Sequence, residues 1–410
     1  MLRSAHIGHV LPQYGTIGPV PSRVGSGHAS PPGATALRVL LVDPRGDTRP
    51  YDDALAAALA AQGHEVRLAT CAPRVPLPPA PAGVRVRHAF YRIADRLPGG
   101  ARRIARGLEH PLDLAALAPC LVRRRPDAVH VQWMPLGAVD RGFWRAASAL
   151  LGFPVVYTAH DALPNDPSPG RLRRAARNAR AFDRVVVHSE NGRRALVEEL
   201  GVDPAAIHVI PHGALTAFRD VAPVAPAVPD GPLVALLGLI RPYKGLDVLL
   251  DAWPAVRAAV PDAQLLVQGR VLGDPDGAAR LERLAADPAL GVTADLRFTE
   301  TAEFAGALLR ADVVALPYRR IDQSGVLFAA LALGRPIVAS RVGGFAEVVE
   351  QTGAGRCVEP GDPAALAAAL VAVLADPGRR AAMAAASRAA ADGPFAWDAI
   401  AAATERLYAG

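Results

Sequence analysis

Short runs of apolar and β-branched residues, separated by stretches with helical periodicity, recur from Leu37 to the end of the chain. LRVLLVDP (37–44) is near-continuously apolar, as a parallel strand covered on both faces requires. Leu55, Ala58 and Leu59 then repeat at helical spacing, and Gly63 stands at a helix stop before EVRLAT (65–70). Further strands are predicted at AVHVQW (128–133), PVVYTAHD (154–161), RVVVHSE (184–190) and AIHVIPHG (206–213). In APVAPAVPDGP (222–232), four prolines in eleven residues forbid a continuing helix and mark a linker. A second series follows: LVALLG (233–238), AQLLVQG (263–269), LRFTE (296–300), VVALPY (313–318) and PIVAS (336–340). This alternation predicts two doubly wound α/β domains with parallel sheets, about 180 residues each. The expected division is an N-terminal domain over 37–215, a linker over 216–231, a second domain over 232–393 and a final amphipathic helix within 394–410, packed back on the first domain. Ligands of such sheets sit at the carboxyl ends of the strands, so the cleft between the domains is the expected site.

Two segments of the second domain carry candidate chemistry. In GLIRPYKGLDVLLDAW (238–253) a strand ends at Gly238, and the loop beyond it bears Arg241 and Lys244 before Gly245 and a helix. Two cations at that position can neutralise a diphosphate; a solvated loop with incidental charge is the plain alternative. In YRRIDQSGVLFAALALGRPIVASRVGGFAEVVE (318–350), Ser324 and Gly325 open an apolar helix that stops at Gly334. The free amides at such a helix start bind anions, although a serine there is most often only an N-cap. Pairing with the Arg/Lys loop favours the anion site. Asp274 and Asp276, within GDPDG, are read as a turn and not as a metal-binding pair.

The ordered series of a Lys-Gly loop, QG after a strand, ADVVALPY, SGVL with GRPIVAS, VGG with EVV, and GDP with ALA resembles family 4 of the glycosyltransferases from Leu37 to Tyr408. TAHD (158–161) and HVIPHG (208–213) resemble that family's strand ends in the first half. The resemblance implies the GT-B fold, with two facing Rossmann-like domains and an interdomain cleft. It also implies a retaining transfer from a nucleotide-diphosphate sugar of the UDP or GDP type to an acceptor hydroxyl, in glycan, glycolipid or natural-product biosynthesis, without a required metal. On this basis the donor site comprises Gly238, Arg241, Lys244, Gly269, Tyr318, Ser324, Gly325, Val326 and Glu347, while His160 and Asp322 are the catalytic candidates. Glu347 would accept a hydrogen bond from a sugar or ribose hydroxyl; its alternative is a first-turn helix residue favouring the dipole. Two departures stand out. Leu239 replaces the arginine that usually follows the glycine, and Ile321 and Ala329 occupy the places of the usual glutamate pair. Asp322 is the expected stand-in for the first glutamate. His160 either meets the transferred sugar or is bonded to backbone at a strand end, and His212 is read as a turn residue.

Composition narrows the classes. The chain has 410 residues, 51% of them hydrophobic and 20% charged, values that exclude global disorder. No apolar run is long enough to span a bilayer. Cys71, Cys120 and Cys357 are too scattered for a disulfide framework, so a cytoplasmic location is expected. Residues 1–36, rich in Gly, Pro, Ser and His, lack the core of a secretory signal and are expected to be a disordered extension. The formal charge of +6 comes with arginine clusters in the first half, among them Arg102, Arg103 and Arg106. These could dock a lipid-linked acceptor or the inner face of a membrane, or form a solvated helix face. Nucleic acid is not an expected partner, because no binding motif accompanies the charge. A dinucleotide oxidoreductase lacks its G-x-G-x-x-G after the first strand, a P-loop enzyme its Lys-bearing glycine loop, and an α/β hydrolase its G-x-S-x-G. The remaining rivals are a degenerate binding or scaffold protein, motivated by Leu239, Ile321 and Ala329, and a GT-B epimerase or phosphorylase.

Overall fold

The computed structural model describes residues 36–73, 80–164 and 167–409, so the extension expected over 1–36 lies outside the described residues except for Ala36. The first sheet holds β1 (Arg38–Asp43), β2 (Glu65–Cys71), β3 (Val84–Phe90), β4 (Ala128–Val131), β5 (Val155–Thr158), β6 (Arg184–Val187) and β7 (Ile207–Val209), in the order β3-β2-β1-β4-β5-β6-β7. The second holds β8 (Leu233–Leu237), β9 (Gln264–Gln268), β10 (Val292–Asp295), β11 (Val313–Leu316), β12 (Ile337–Ser340) and β13 (Gly355–Val358), in the order β10-β9-β8-β11-β12-β13. Every described pairing is parallel. The crossovers of the first domain are α1 (Arg49–Ala61), α2 (Gly99–Arg123), α3 (Gly137–Leu151), α4 (Pro169–Ala179) and α5 (Glu190–Glu198). Those of the second are α6 (Leu246–Ala259), α7 (Pro275–Ala285), α8 (Thr301–Arg310), α9 (Gly325–Ala332) and α10 (Phe345–Thr352), followed by α11 (Pro363–Leu374), α12 (Pro377–Asp392) and α13 (Trp397–Ala409).

The central strands β8 and β9 are buried along their whole length, which explains the unbroken apolar sequence of β8 and the apolar centre of β9, whose two ends are glutamines. The edge strand β3, VRVRHAF, alternates apolar with charged residues and leaves its polar positions exposed. Neither β3 nor β13 is among the strands expected from sequence, because neither is a continuous apolar run. The strand expected at 296–300 is displaced: β10 ends at Asp295, and Glu300 and Glu303 form a capping box that turns the chain into α8. GDPDG is likewise more than a turn, since the Asp274 carboxylate accepts from Gly277 N at 3.0 Å and caps α7.

Strand order reverses between β1 and β4 in one sheet and between β8 and β11 in the other, the places where open α/β sheets leave a crevice. Between Val221 and Pro232 the chain forms no helix or strand, and Val224 N donates to Ala302 O at 2.9 Å. Gly306 permits this contact: a Cβ there would stand 1.8 Å from Val224 O. The terminal helix α13 lies on the first domain, with Tyr408 Oη 2.7 Å from His130 Nδ1 and Leu407 O accepting from Arg184 at 2.7 Å. Among the described residues no helix is long and apolar enough to cross a membrane.

Candidate active site

The carboxyl ends of both sheets open on one cleft. From the second domain it is lined by Leu239, Arg241, Tyr243, Lys244, Tyr318, Ile321, Gln323, Ser324, Gly325 and Val326. Its other wall is Asp47, Thr48, Trp133, His160, Asp161, His188 and His212.

Backbone geometry places the cations. Gly245 adopts φ +69°, and a Cβ on it would stand 2.0 Å from Pro317 O, so only glycine lets the loop after β8 press against the end of β11. Lys244 is thereby drawn inward until it is 5% exposed. Its Nζ donates to Leu237 O at 3.3 Å and lies 5.2 Å from the centroid of the Tyr318 ring. Burial pushes its pKa down, and among the described residues it pairs with no carboxylate. Such an ammonium has donors to spare and a strong electrostatic reason to take an anion. Tyr318 passes the contact on, its hydroxyl 3.5 Å from Ser324 Oγ.

Ser324 precedes α9, yet its side chain caps nothing. The first amides of α9 are left free by helix geometry, and Gly325 and Val326 at its start line the cleft. Arg241, Lys244, Tyr318, Ser324, Gly325 and Val326 thus share one concavity. Gly238 and Gly269 do not line it. They let the ends of β8 and β9 meet, since a Cβ on Gly269 would stand 2.1 Å from Gly238 O.

Opposite lies a chain of rings. His188 Nδ1 donates to Ile210 O at 2.9 Å, so the neutral ring offers Nε2 as an acceptor to His160 Nδ1 at 3.1 Å. His160 Nε2 then meets the Gln132 carboxamide at 2.8 Å. That contact is satisfied when the amide turns its otherwise unpartnered Nε2 toward the ring. Burial lowers the pKa of His160 well below its ordinary value and that of His188 to about 4, so the neutral chain is the stable one. Both nitrogens of His160 are therefore engaged, and its ring stacks on Trp133 with centroids 5.3 Å apart. His212, expected as a turn residue, is instead a buried wall residue stacked 4.3 Å from Phe328 of α9.

Two expected site residues point elsewhere. Asp322 does not line the cleft: Oδ2 accepts from Ala162 N at 2.9 Å and Oδ1 from Ser189 Oγ at 3.3 Å, both across the domain boundary. The Glu347 carboxylate accepts from Glu190 N at 2.8 Å and Asn191 N at 2.7 Å, at the start of α5 in the first domain. Neither carboxylate is left for a sugar or ribose hydroxyl in this arrangement. Arg102, Arg103 and Arg106 lie on α2, away from the cleft; Arg106 is fixed by Asp95 at 2.6 Å and covers the Tyr91 ring.

Sequence reasoning assigned no role to Asp47, Thr48, Trp133 or His188. Each follows a strand of the first sheet, and that position was the available signal. Trp133 Nε1 donates to Thr48 Oγ1 at 3.0 Å and so ties two of these loops together. No group of three His, Cys, Asp or Glu side chains among the described residues could hold a metal ion.

The sequence matches the family described as Glycosyltransferase Family 4 over residues 53–217 and that described as Glycosyl transferases group 1 over 231–376. A D-inositol 3-phosphate glycosyltransferase 2 of Catenulispora acidiphila is 30% identical, over 88% of this chain and 90% of the relative. The chain belongs to glycosyltransferase family 4. It is a transferase with the GT-B fold, and its relatives include a D-inositol 3-phosphate glycosyltransferase of Acidothermus cellulolyticus, 31% identical over 79% of this chain and 77% of that one. A phosphatidyl-myo-inositol mannosyltransferase of Mycobacterium leprae is 34% identical over 54% of this chain and 58% of that protein. Among solved structures, sucrose-phosphate synthase from Thermosynechococcus elongatus superposes with a TM-score of 0.70 at 23% identity, over 90% of this chain and 98% of that one. Anabaena HepE in complex with UDP gives 0.66 at 20%, over 91% and 100%. These two likenesses concern the fold.

Proposed function

We propose that this glycosyltransferase draws its sugar from a nucleotide diphosphate held between Lys244, Arg241 and the first amides of α9. The observation that carries this reading is the buried Lys244 ammonium, unpaired with any described carboxylate, in the same concavity as an uncapped helix start. As the bond from the anomeric carbon to the diphosphate oxygen breaks, charge grows on the leaving group, and preorganised cations and amides stabilise it without a metal. The acceptor hydroxyl forms the new bond on the same face and its proton passes to the departing phosphate oxygen, so configuration is retained. Tyr318 and Val326 wall the donor. His160, on the opposite wall with Trp133, orders the side from which the acceptor approaches.

The names of the relatives, which cite inositol 3-phosphate and phosphatidyl-myo-inositol, direct the acceptor reading to a polyol or lipid-linked polyol. The UDP complex of HepE makes UDP the first nucleotide to try, with GDP the second. A cytoplasmic location suits three unbridged cysteines. Peripheral membrane contact fits α2, where Ile104, Leu108 and Leu112 recur one turn apart at 70%, 72% and 70% exposure. Exposed Arg92, Arg96 and Arg103 accompany them. The segment's carboxylates are engaged, Asp95 with Arg106, Glu109 with the amides of Ile93 and Ala94, and Asp113 with that of Tyr91. The face thus complements an anionic lipid surface. Screening UDP- and GDP-sugars for donor cleavage, with and without polyol acceptors, tests the central reading. Cleavage of one nucleotide class is expected; no binding or cleavage with either would refute it.

A further inference from the structure

Asp322 and Glu347 leave the donor site to grip the other domain, and the places they grip are informative. The segment 321–326 carries Asp322 between residues that line the cleft, Ile321 before it and Ser324, Gly325 and Val326 after it. Across the boundary, Asp322 reaches Ser189, whose hydroxyl also accepts from Gly192 N at 2.9 Å and so caps α5. Glu347 supplies a second cap to the same helix through the amides of Glu190 and Asn191. Gln323 Nε2 donates to His188 O at 3.4 Å. Close approach is built in: a Cβ on Gly344 would stand 2.8 Å from Ser189 Cβ and 2.4 Å from Gln323 Nε2. The gripped segment, 188–191, begins with the histidine that fixes His160.

We propose that Asp322 and Glu347 are positioning residues, a latch that closes the two domains and sets the His188–His160 wall in register with the diphosphate pocket. Its role in transfer rests on the donor reading above; its role in closure does not. The latch also couples closure to a proton. Burial raises the Asp322 pKa to about 7, and the facing carboxylates of Asp161, from the loop after β5, and Glu347, from α10, push the same way. The Ala162 amide and the Ser189 hydroxyl oppose them. When the domains part, Asp322 meets water and its pKa falls back toward the ordinary carboxylate range. Closure therefore takes up a proton between about pH 4 and 7; its equilibrium constant falls about tenfold per pH unit across that window and levels off above 7, a drop of about tenfold between pH 6.0 and 8.5. Asp322→Asn removes the titration while keeping an oxygen for Ala162 N and a donor for Ser189 Oγ.

The test is small-angle scattering of the nucleotide-free protein at pH 6.0 and 8.5, with melting curves as a check on folding. Wild type should match the closed dimensions at pH 6.0 and expand at pH 8.5. Asp322→Asn should stay compact at both, and Glu347→Ala should be expanded at both while each domain remains folded. A pH-independent wild-type profile, or a Glu347→Ala protein as compact as wild type, overturns the latch. In UDP or GDP titrations Glu347→Ala should bind nucleotide within twofold of wild type while donor turnover drops at least tenfold. Equal losses in both would assign Glu347 to the pocket itself. Absence of any nucleotide binding would refute the donor reading but leave the scattering result standing.

Discussion

Lys244 owes its place to a neighbour without a side chain: Gly245 takes a positive φ against Pro317 and turns the lysine inward, where burial depresses its pKa and leaves it short of partners. The Lys-Gly pair was visible in the sequence, but the depth of the burial was not. His160 shows the opposite limit. Its strand-end position was legible, whereas the ring chain that engages both its nitrogens depends on Gln132 and His188, residues just beyond the ends of separate strands with no fixed spacing. Replacing His160 with alanine removes the link between them and loosens the wall facing the donor. Turnover should fall by about 100-fold, the scale expected when reacting groups are misplaced by about an ångström, while nucleotide affinity stays within twofold. Stopped assays and calorimetry on the same preparation separate these effects, and an unaltered turnover would make the histidine a packing residue only.

Helices and strands were legible where the physical signal was strong. Buried central strands such as β8 and β11 are unbroken apolar runs, so they read directly. The edge strand β3 is half charged because half of it meets water, and β10 lies four residues before the run taken for it because a capping box claims Glu300 for α8. Helix α2 presents a different problem, for its buried stripe at Leu114, Leu117 and Leu121 hides a second apolar stripe on the outside. Only the structure shows that Ile104, Leu108 and Leu112 have no cover among the described residues while the adjoining acids are engaged. The protein should sediment with vesicles containing phosphatidylglycerol and not with pure phosphatidylcholine. Leu108→Glu gives up about 1.5–3 kcal/mol of apolar burial and adds a repelled charge, so most of the vesicle-bound fraction should be lost with the melting temperature unchanged. Undiminished binding of the variant would exclude this face as the contact.

At the scale of the whole molecule, two doubly wound sheets and a proline-rich connection follow from the apolar pattern, and the cleft follows from their carboxyl ends. How the domains meet could not be read, because a carboxylate beside a donor motif looks the same in sequence whether it faces a sugar or a neighbouring helix. Asp322 and Glu347 took the second course, which leaves the proposed diphosphate site resting on cations and main-chain amides. Calorimetric titration of wild type and Lys244→Ala with UDP and with GDP addresses that claim directly. A charge-assisted contact of about 1.5–3 kcal/mol predicts that one nucleotide binds wild type about 10- to 100-fold more tightly than the variant, with identical melting curves for the two free proteins. Equal affinity for the two proteins would contradict the account.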